Sequence, residues 1–157
     1  MTTRTLIFGN SGSGKSTLAR ALCAAQHLPH LDLDTIVWEP HQVAVQRPAE
    51  AIQQSLRDFL DANTAWVIEG CYGELIEAAA AECTELVFLD PGLERCLENN
   101  RRRPFEPHKY TTAEAQQAMF ENLQAWVAEY YVRDGSWSWR YHRRLFDAHR
   151  GPKREQT

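Results

Sequence analysis

At 157 residues and 43% hydrophobic content, the chain has the length of one domain and enough apolar mass to fill one core. Its net charge of −4 is divided unevenly, with 5 Lys/Arg against 13 Asp/Glu in residues 1–94 and 12 against 8 in residues 95–157. The acidic first part disfavours a general nucleic-acid binder, which needs a basic face against phosphates. No apolar run approaches a membrane span, and nothing at the N-terminus resembles a signal peptide. The cysteines Cys23, Cys71, Cys83 and Cys96 lack metal-ligand spacing, so a cytoplasmic protein with free thiols is expected.

Thr5-Leu6-Ile7-Phe8 is a short β-prone apolar run. It leads directly into Gly9-Asn10-Ser11-Gly12-Ser13-Gly14-Lys15-Ser16-Thr17, which matches the phosphate-binding pattern G-x-x-x-x-G-K-[ST]. Gly9 and Gly14 let the backbone wrap close to a phosphate chain. Lys15 would reach the β- and γ-phosphates, and Ser16 would offer its hydroxyl to magnesium. Leu18, Ala19, Ala21, Leu22 and Ala25 follow at helical spacing, so a helix N-terminus points its free N–H groups at the phosphates. A plain turn would explain the glycines but neither Lys15 nor Ser16.

Pro29 breaks that helix, and His30-Leu31-Asp32-Leu33-Asp34 reads as a second strand. Two carboxylates at i, i+2 on a strand share a side. Near a phosphate site, Asp32 and Asp34 would hold magnesium through water or take the proton of an acceptor hydroxyl; the alternative is an Asx turn closing the strand. Residues 35–47 read as a loop, and Pro48 opens a helix with Ile52, Leu56, Phe59 and Leu60 on its apolar stripe. The third strand is Ala65–Ile68. It ends at Glu69-Gly70 and delivers Glu69 to the site as a magnesium-shell or substrate-binding carboxylate. Cys71 has no histidine beside it and reads as inert.

Glu74 to Cys83 reads as an alanine-rich helix, and Leu86–Leu89 followed by Asp90 as a buried strand resembling a Walker B strand. Asp90 is expected to be structural, capping a helix with Pro91 at its first position. That helix ends in Arg101-Arg102-Arg103-Pro104, followed by a basic loop to Tyr110. Thr111-Thr112-Ala113-Glu114 reads as a capping box opening one helix that runs to about Arg133, with Trp126, Val127 and Tyr130 on its stripe. A last short helix carries Trp139, His142, Leu145 and Phe146, and the polar tail after Gly151-Pro152 is expected to fray. The histidines have no metal-site spacing and read as core or surface residues.

With these segments placed, the chain resembles the nucleoside/nucleotide kinase superfamily, which includes adenylate, shikimate and gluconate kinases. Within it, the chain looks most like the small bacterial P-loop proteins called topology modulation proteins or adenylate-kinase-like ATPases. The resemblance is carried by the glycine loop, by His30–Trp38 and by Trp66–Tyr72, and covers roughly residues 4–103. It implies a three-layer α/β/α fold with a parallel sheet of order 2-3-1-4, no fifth apolar strand being evident. It further implies one P-loop kinase-like domain over 1–157, with a LID near 101–112 and C-terminal helices over 112–150. Gly9–Thr17 would bind ATP, and Ser16, Asp32 and Glu69 would serve Mg²⁺. Lys15, Asp34, Arg102 and Arg103 would be the catalytic set, the arginines closing over the phosphates. A weaker carry-over places His149–Pro152 against adenine. No N-K-x-D motif of GTPases is present, which fits ATP. Glu69–Glu74 lacks the arginine that binds an acceptor phosphate, so a nucleoside monophosphate is not the expected acceptor, and the triple-glycine acceptor loop of shikimate kinase is absent too. The implied partners are a nucleotide and a small hydroxyl substrate, with a protein partner under the alternative of a nucleotide-dependent regulatory ATPase or binding protein.

Overall fold

The computed structural model describes residues 2–157 apart from His41 and Val43. The strands are β1 (Arg4–Gly9), β2 (His30–Asp32), β3 (Trp66–Gly70), β4 (Glu85–Leu89) and β5 (Lys153–Gln156). The helices are α1 (Lys15–Gln26), α2 (Asp34–Val37), α3 (Ala49–Ala62), α4 (Gly73–Ala80), α5 (Leu93–Arg101), α6 (Ala113–Ala118), α7 (Phe120–Ala128) and α8 (Trp139–Ala148). The sheet order is β2-β3-β1-β4-β5, and every pairing is parallel. This is an α/β fold whose sheet is covered on both faces, as parallel sheets require.

Alternation along each strand sorts the core into two layers. Leu6, Phe8, Ile68, Leu86 and Phe88 face a large cluster with Leu56, Ile76, Leu145 and Phe146. Ile7, Val67, Val87 and Leu89 face the other way, against Ala19 and Leu22 of α1. The α1 side therefore carries the glycine loop and sets which strand residues share its face. α1 ends at a left-handed His27, whose N–H returns to the Cys23 carbonyl, two residues ahead of Pro29.

Four expectations are corrected. The tail does not fray. Lys153–Gln156 pairs with β4 as a fifth strand, with Asp90 N donating to Gln156 O at 2.7 Å. It had no apolar signature because it is an exposed edge strand, held by its backbone ladder and by Arg154–Glu85 and Arg143–Glu155 ion pairs at 2.8 and 2.9 Å. The single helix expected over 112–133 is divided at Met119 into α6 and α7, and its cap is Thr112, whose Oγ1 accepts from Ala115 N at 3.0 Å. Asp90 does not cap α5, which starts after Gly92; its carboxylate accepts hydrogen bonds from Tyr131 and Trp139 side chains instead. Residues 35–47 are not all loop, since α2 occupies Asp34–Val37; positions 41 and 43 of that stretch lie outside the described residues.

His142 is wholly buried, with Nε2 2.8 Å from the Cys71 carbonyl and Nδ1 2.6 Å from Tyr130 Oη. The neutral ring donates from Nε2 and accepts the tyrosine hydroxyl at Nδ1. Burial lowers its pKa to about 3. The unfolded chain therefore binds this proton first, and stability falls as pH drops below the ordinary histidine range. Chemical denaturation should show the wild type losing about 2 kcal/mol more than His142→Gln between pH 7 and pH 5.

Candidate active site

The glycine loop joins β1 to α1 at the C-terminal end of the sheet. Gly12 and Gly14 have φ of +81° and +98°, and a Cβ on Gly12 would lie 2.3 Å from the Cys96 carbonyl. A Cβ on Gly9 would lie 2.3 Å from the Leu89 carbonyl. The loop backbone is thus pressed against β4 and α5. α5 clamps it further: Asn99 Nδ2 donates to Gly12 O at 2.7 Å and Asn100 Nδ2 to Ser11 O at 3.4 Å. From α7, Val127 O accepts from Asn10 Nδ2 at 3.3 Å. The first turn of α1 has no side-chain cap, which leaves its N–H groups facing the loop's concavity. Among the described residues, the buried Ser13 Oγ and Asn10 Oδ1 have no hydrogen-bond partner. Uncapped N–H groups, an unpartnered hydroxyl and a lysine are a donor set that fits a polyphosphate.

Lys15 Nζ donates to Asn10 O at 2.7 Å, folded over its own loop. Ser16 Oγ lies 3.0 and 3.2 Å from the two carboxylate oxygens of Glu69. Thr17 is exposed in the first turn of α1. Parallel register aligns Asp32 with Glu69 on neighbouring strands, so the two carboxylates share the face that Ser16 approaches. Glu69 is 1% exposed. Burial first, and then the Asp32 charge, raise its pKa to about 8 against the opposing pull of Lys15. Among the described residues no three His, Cys, Asp or Glu side chains converge as a direct metal cluster. A hydroxyl beside one or two carboxylates instead suits magnesium, which keeps several of its waters.

Asp34 does not continue β2. It opens α2, and its N–H donates to Asp32 Oδ1 at 2.9 Å. The Asx-turn alternative is therefore realised, and it still leaves the Asp34 carboxylate at the site. One oxygen accepts the Tyr72 hydroxyl, and the other lies 2.6 Å from Lys109 Nζ. Burial works against ionising Asp34, but Lys109 and the Tyr72 hydrogen bond outweigh it and lower its pKa. Lys109 also lies 3.8 Å from Asp32 and 3.4 Å from Glu106.

The arginine run divides. Arg103 Nη2 lies 3.4 Å from Ser11 Oγ, and Nη1 lies 3.7 Å from Glu106. Arg102 is 78% exposed and pairs with Glu98, so the fold does not bring it to the loop. Cys71 is buried, and burial pushes its thiol up to about 12, in keeping with an inert side chain. His149 lies near Cys83, 4.0 Å from its sulfur. The residues sequence reasoning missed are Asn99, Asn100, Tyr72 and Lys109. Lys109 had a visible signal as a cation in the loop after the arginine run; the asparagines and Tyr72 had none, because their roles depend on contacts over more than 35 residues of separation.

No protein-family model and no curated protein sequence matches the chain. Among solved structures, a sugar kinase from Janibacter sp. HTCC2649 aligns over 99% of this chain and 86% of its own, at 16% identity and a TM-score of 0.50. The chain has the P-loop kinase fold. A gluconokinase from Sinorhizobium meliloti 1021 aligns over 76% of this chain and 73% of its own at 18% identity and a TM-score of 0.45. A shikimate kinase from Acinetobacter baumannii, solved with shikimate, aligns over 92% of each chain at 16% identity and a TM-score of 0.45. The five-strand order seen here agrees with the P-loop kinase fold, and no described helix is long and apolar enough to cross a membrane.

The close approach at Gly12 gives a direct check. Gly12→Ala should cost about 1–3 kcal/mol in thermal or denaturant unfolding, because the new Cβ meets a backbone carbonyl at a left-handed position. It should also weaken the binding of a fluorescent nucleotide.

Proposed function

We propose that this chain is an ATP- and Mg²⁺-dependent phosphotransferase acting on a small hydroxyl compound. The observation that carries the reading is the meeting of three parts at one end of the sheet. These are the glycine loop with Lys15, the Ser16–Glu69–Asp32 set, and Asp34 facing a cation from the loop after α5. Gly9–Thr17 holds the triphosphate through backbone N–H groups. Ser16 binds magnesium, and Asp32 and Glu69 hold its waters. Lys15 and Arg103 neutralise the transferred phosphoryl. Asp34 takes the hydroxyl proton as the acceptor oxygen bonds to the γ-phosphorus and the bond to the bridging oxygen breaks, ADP leaving with that electron pair. Residues 101–112 act as the LID of a single domain, in the cytoplasm. The likeness to a sugar kinase supports a small-molecule substrate.

A second reading, a nucleotide-dependent regulatory ATPase or binding protein, draws on the closure of Asp34 by Lys109. Coupled ADP release over a panel of hydroxylated metabolites separates the two: acceptor-stimulated turnover fits the phosphotransferase, and slow acceptor-independent turnover fits the regulatory protein.

Lys15→Ala should cut ADP formation by about 100-fold or more while leaving the melting temperature within a few degrees. ADP formation by that variant at the wild-type rate would reject the assignment. Arg103→Ala should lose at least about ten times more activity than Arg102→Ala, since only Arg103 faces the loop.

A further inference from the structure

Tyr72 stands two residues after the end of β3 and is 5% exposed. Its hydroxyl has two partners of fixed direction. Trp38 Nε1, which can only donate, gives a hydrogen bond to Tyr72 Oη at 2.7 Å. With that lone pair taken, the tyrosine's own proton points at Asp34 Oδ1. The other Asp34 oxygen, Oδ2, is held by Lys109 Nζ at 2.6 Å. The two holds differ in origin. Trp38 caps the C-terminus of α2 and Tyr72 the N-terminus of α4, so both belong to the body of the fold. Lys109 stands on the loop between α5 and α6, outside both of those caps. The Tyr72 ring is fixed independently of its hydroxyl: it meets Trp137 edge-on at 5.0 Å and Trp38 at 6.4 Å between centroids.

We propose that Tyr72, directed by Trp38, is a positioning residue for Asp34, fixing Oδ1 so that Oδ2 is the oxygen that meets the acceptor hydroxyl. This rests on the phosphotransfer reading above. In the step it serves, the hydroxyl oxygen bonds to the γ-phosphorus, the bond from that phosphorus to the bridging oxygen breaks, and ADP takes the electron pair. The hydroxyl proton passes to Asp34 Oδ2 and then to solvent. With water as the acceptor, the same step yields inorganic phosphate. Tyr72 touches neither nucleotide nor acceptor; it acts by denying the carboxylate its rotation.

The test uses the full chain with MgATP alone, water serving as acceptor, and reads ADP formation over a range of MgATP concentrations. Tyr72→Phe keeps the ring packing and removes the hydroxyl. It should lower kcat by about tenfold, the value of one directed hydrogen bond, with the KM for MgATP unchanged. Trp38→Phe, which keeps an aromatic ring but loses the N–H, should lower kcat by less and in the same manner. Placed in an Asp34→Asn background, Tyr72→Phe should change kcat by less than about twofold, because nothing remains for it to position. An equal loss with and without Asp34, an unchanged kcat, or a loss seen only as a raised KM overturns the assignment. A wild type whose ADP formation, with water and with every hydroxylated metabolite of the panel, is no faster than that of Lys15→Ala overturns the phosphotransfer reading and this inference with it; a Lys15-dependent wild type that is indifferent to Tyr72→Phe overturns the inference alone.

Discussion

The parallel register of β2, β3 and β1 is the constraint on which the site depends. It pairs Asp32 with Glu69 and Ile7 with Glu69, so that the two carboxylates emerge on the α1 face level with Ile7, two residues before the glycine loop begins at Gly9. Side chains alternate along a strand, and a slip of one residue would turn Glu69 into the aliphatic layer below Phe8 and Ile68. That register is itself secured by burial on both faces. Leu6, Phe8 and Ile68 must meet one cluster, and Ile7 and Val67 the other. The site thus takes its geometry from the packing of residues with no chemistry of their own.

Charge at the site is arranged in two pairs rather than one cluster. Glu69 is buried against the Ser16 hydroxyl, and its proton affinity is raised by that burial and by Asp32. Asp34 faces Lys109 and Tyr72, and its proton affinity is lowered. Burial opposes the charge on Lys109 as well, but Asp34, Asp32 and Glu106 outweigh it and raise its pKa. Two carboxylates of one candidate site, Asp34 and Glu69, therefore differ in their readiness to ionise, for reasons set by neighbours from four separate segments.

Much of this was legible in the amino-acid order. The strand–loop–helix around Gly9–Thr17 carries local signals: an apolar run, glycines where φ is positive or the backbone is crowded, and a helix stripe. Glu69 was legible because a polar residue ending an apolar run marks the C-terminal end of a strand. β5 was not, because an edge strand of Lys, Arg, Glu and Gln buries nothing and is recognised only by the ladder it completes. Arg102 and Arg103 could not be told apart, since adjacent positions at a helix end differ only in direction. α5 ends as the chain turns, and that turn sends Arg102 back to Glu98 and Arg103 toward Ser11.

By itself, the sequence determined the glycine-rich loop between a strand and a helix, the parallel α/β class and the strand ends from which carboxylates would come. Each of these depends on residues close together in the chain, through local backbone preference and periodicity. Only the tertiary structure decided which groups complete the site. Asn99 and Asn100 hold the loop from α5, Lys109 crosses to Asp34, and Tyr72 and Trp38 direct one of its oxygens. Those contacts join segments far apart in the chain, and hydrogen bonds of fixed direction form between them only once packing has set each backbone in place.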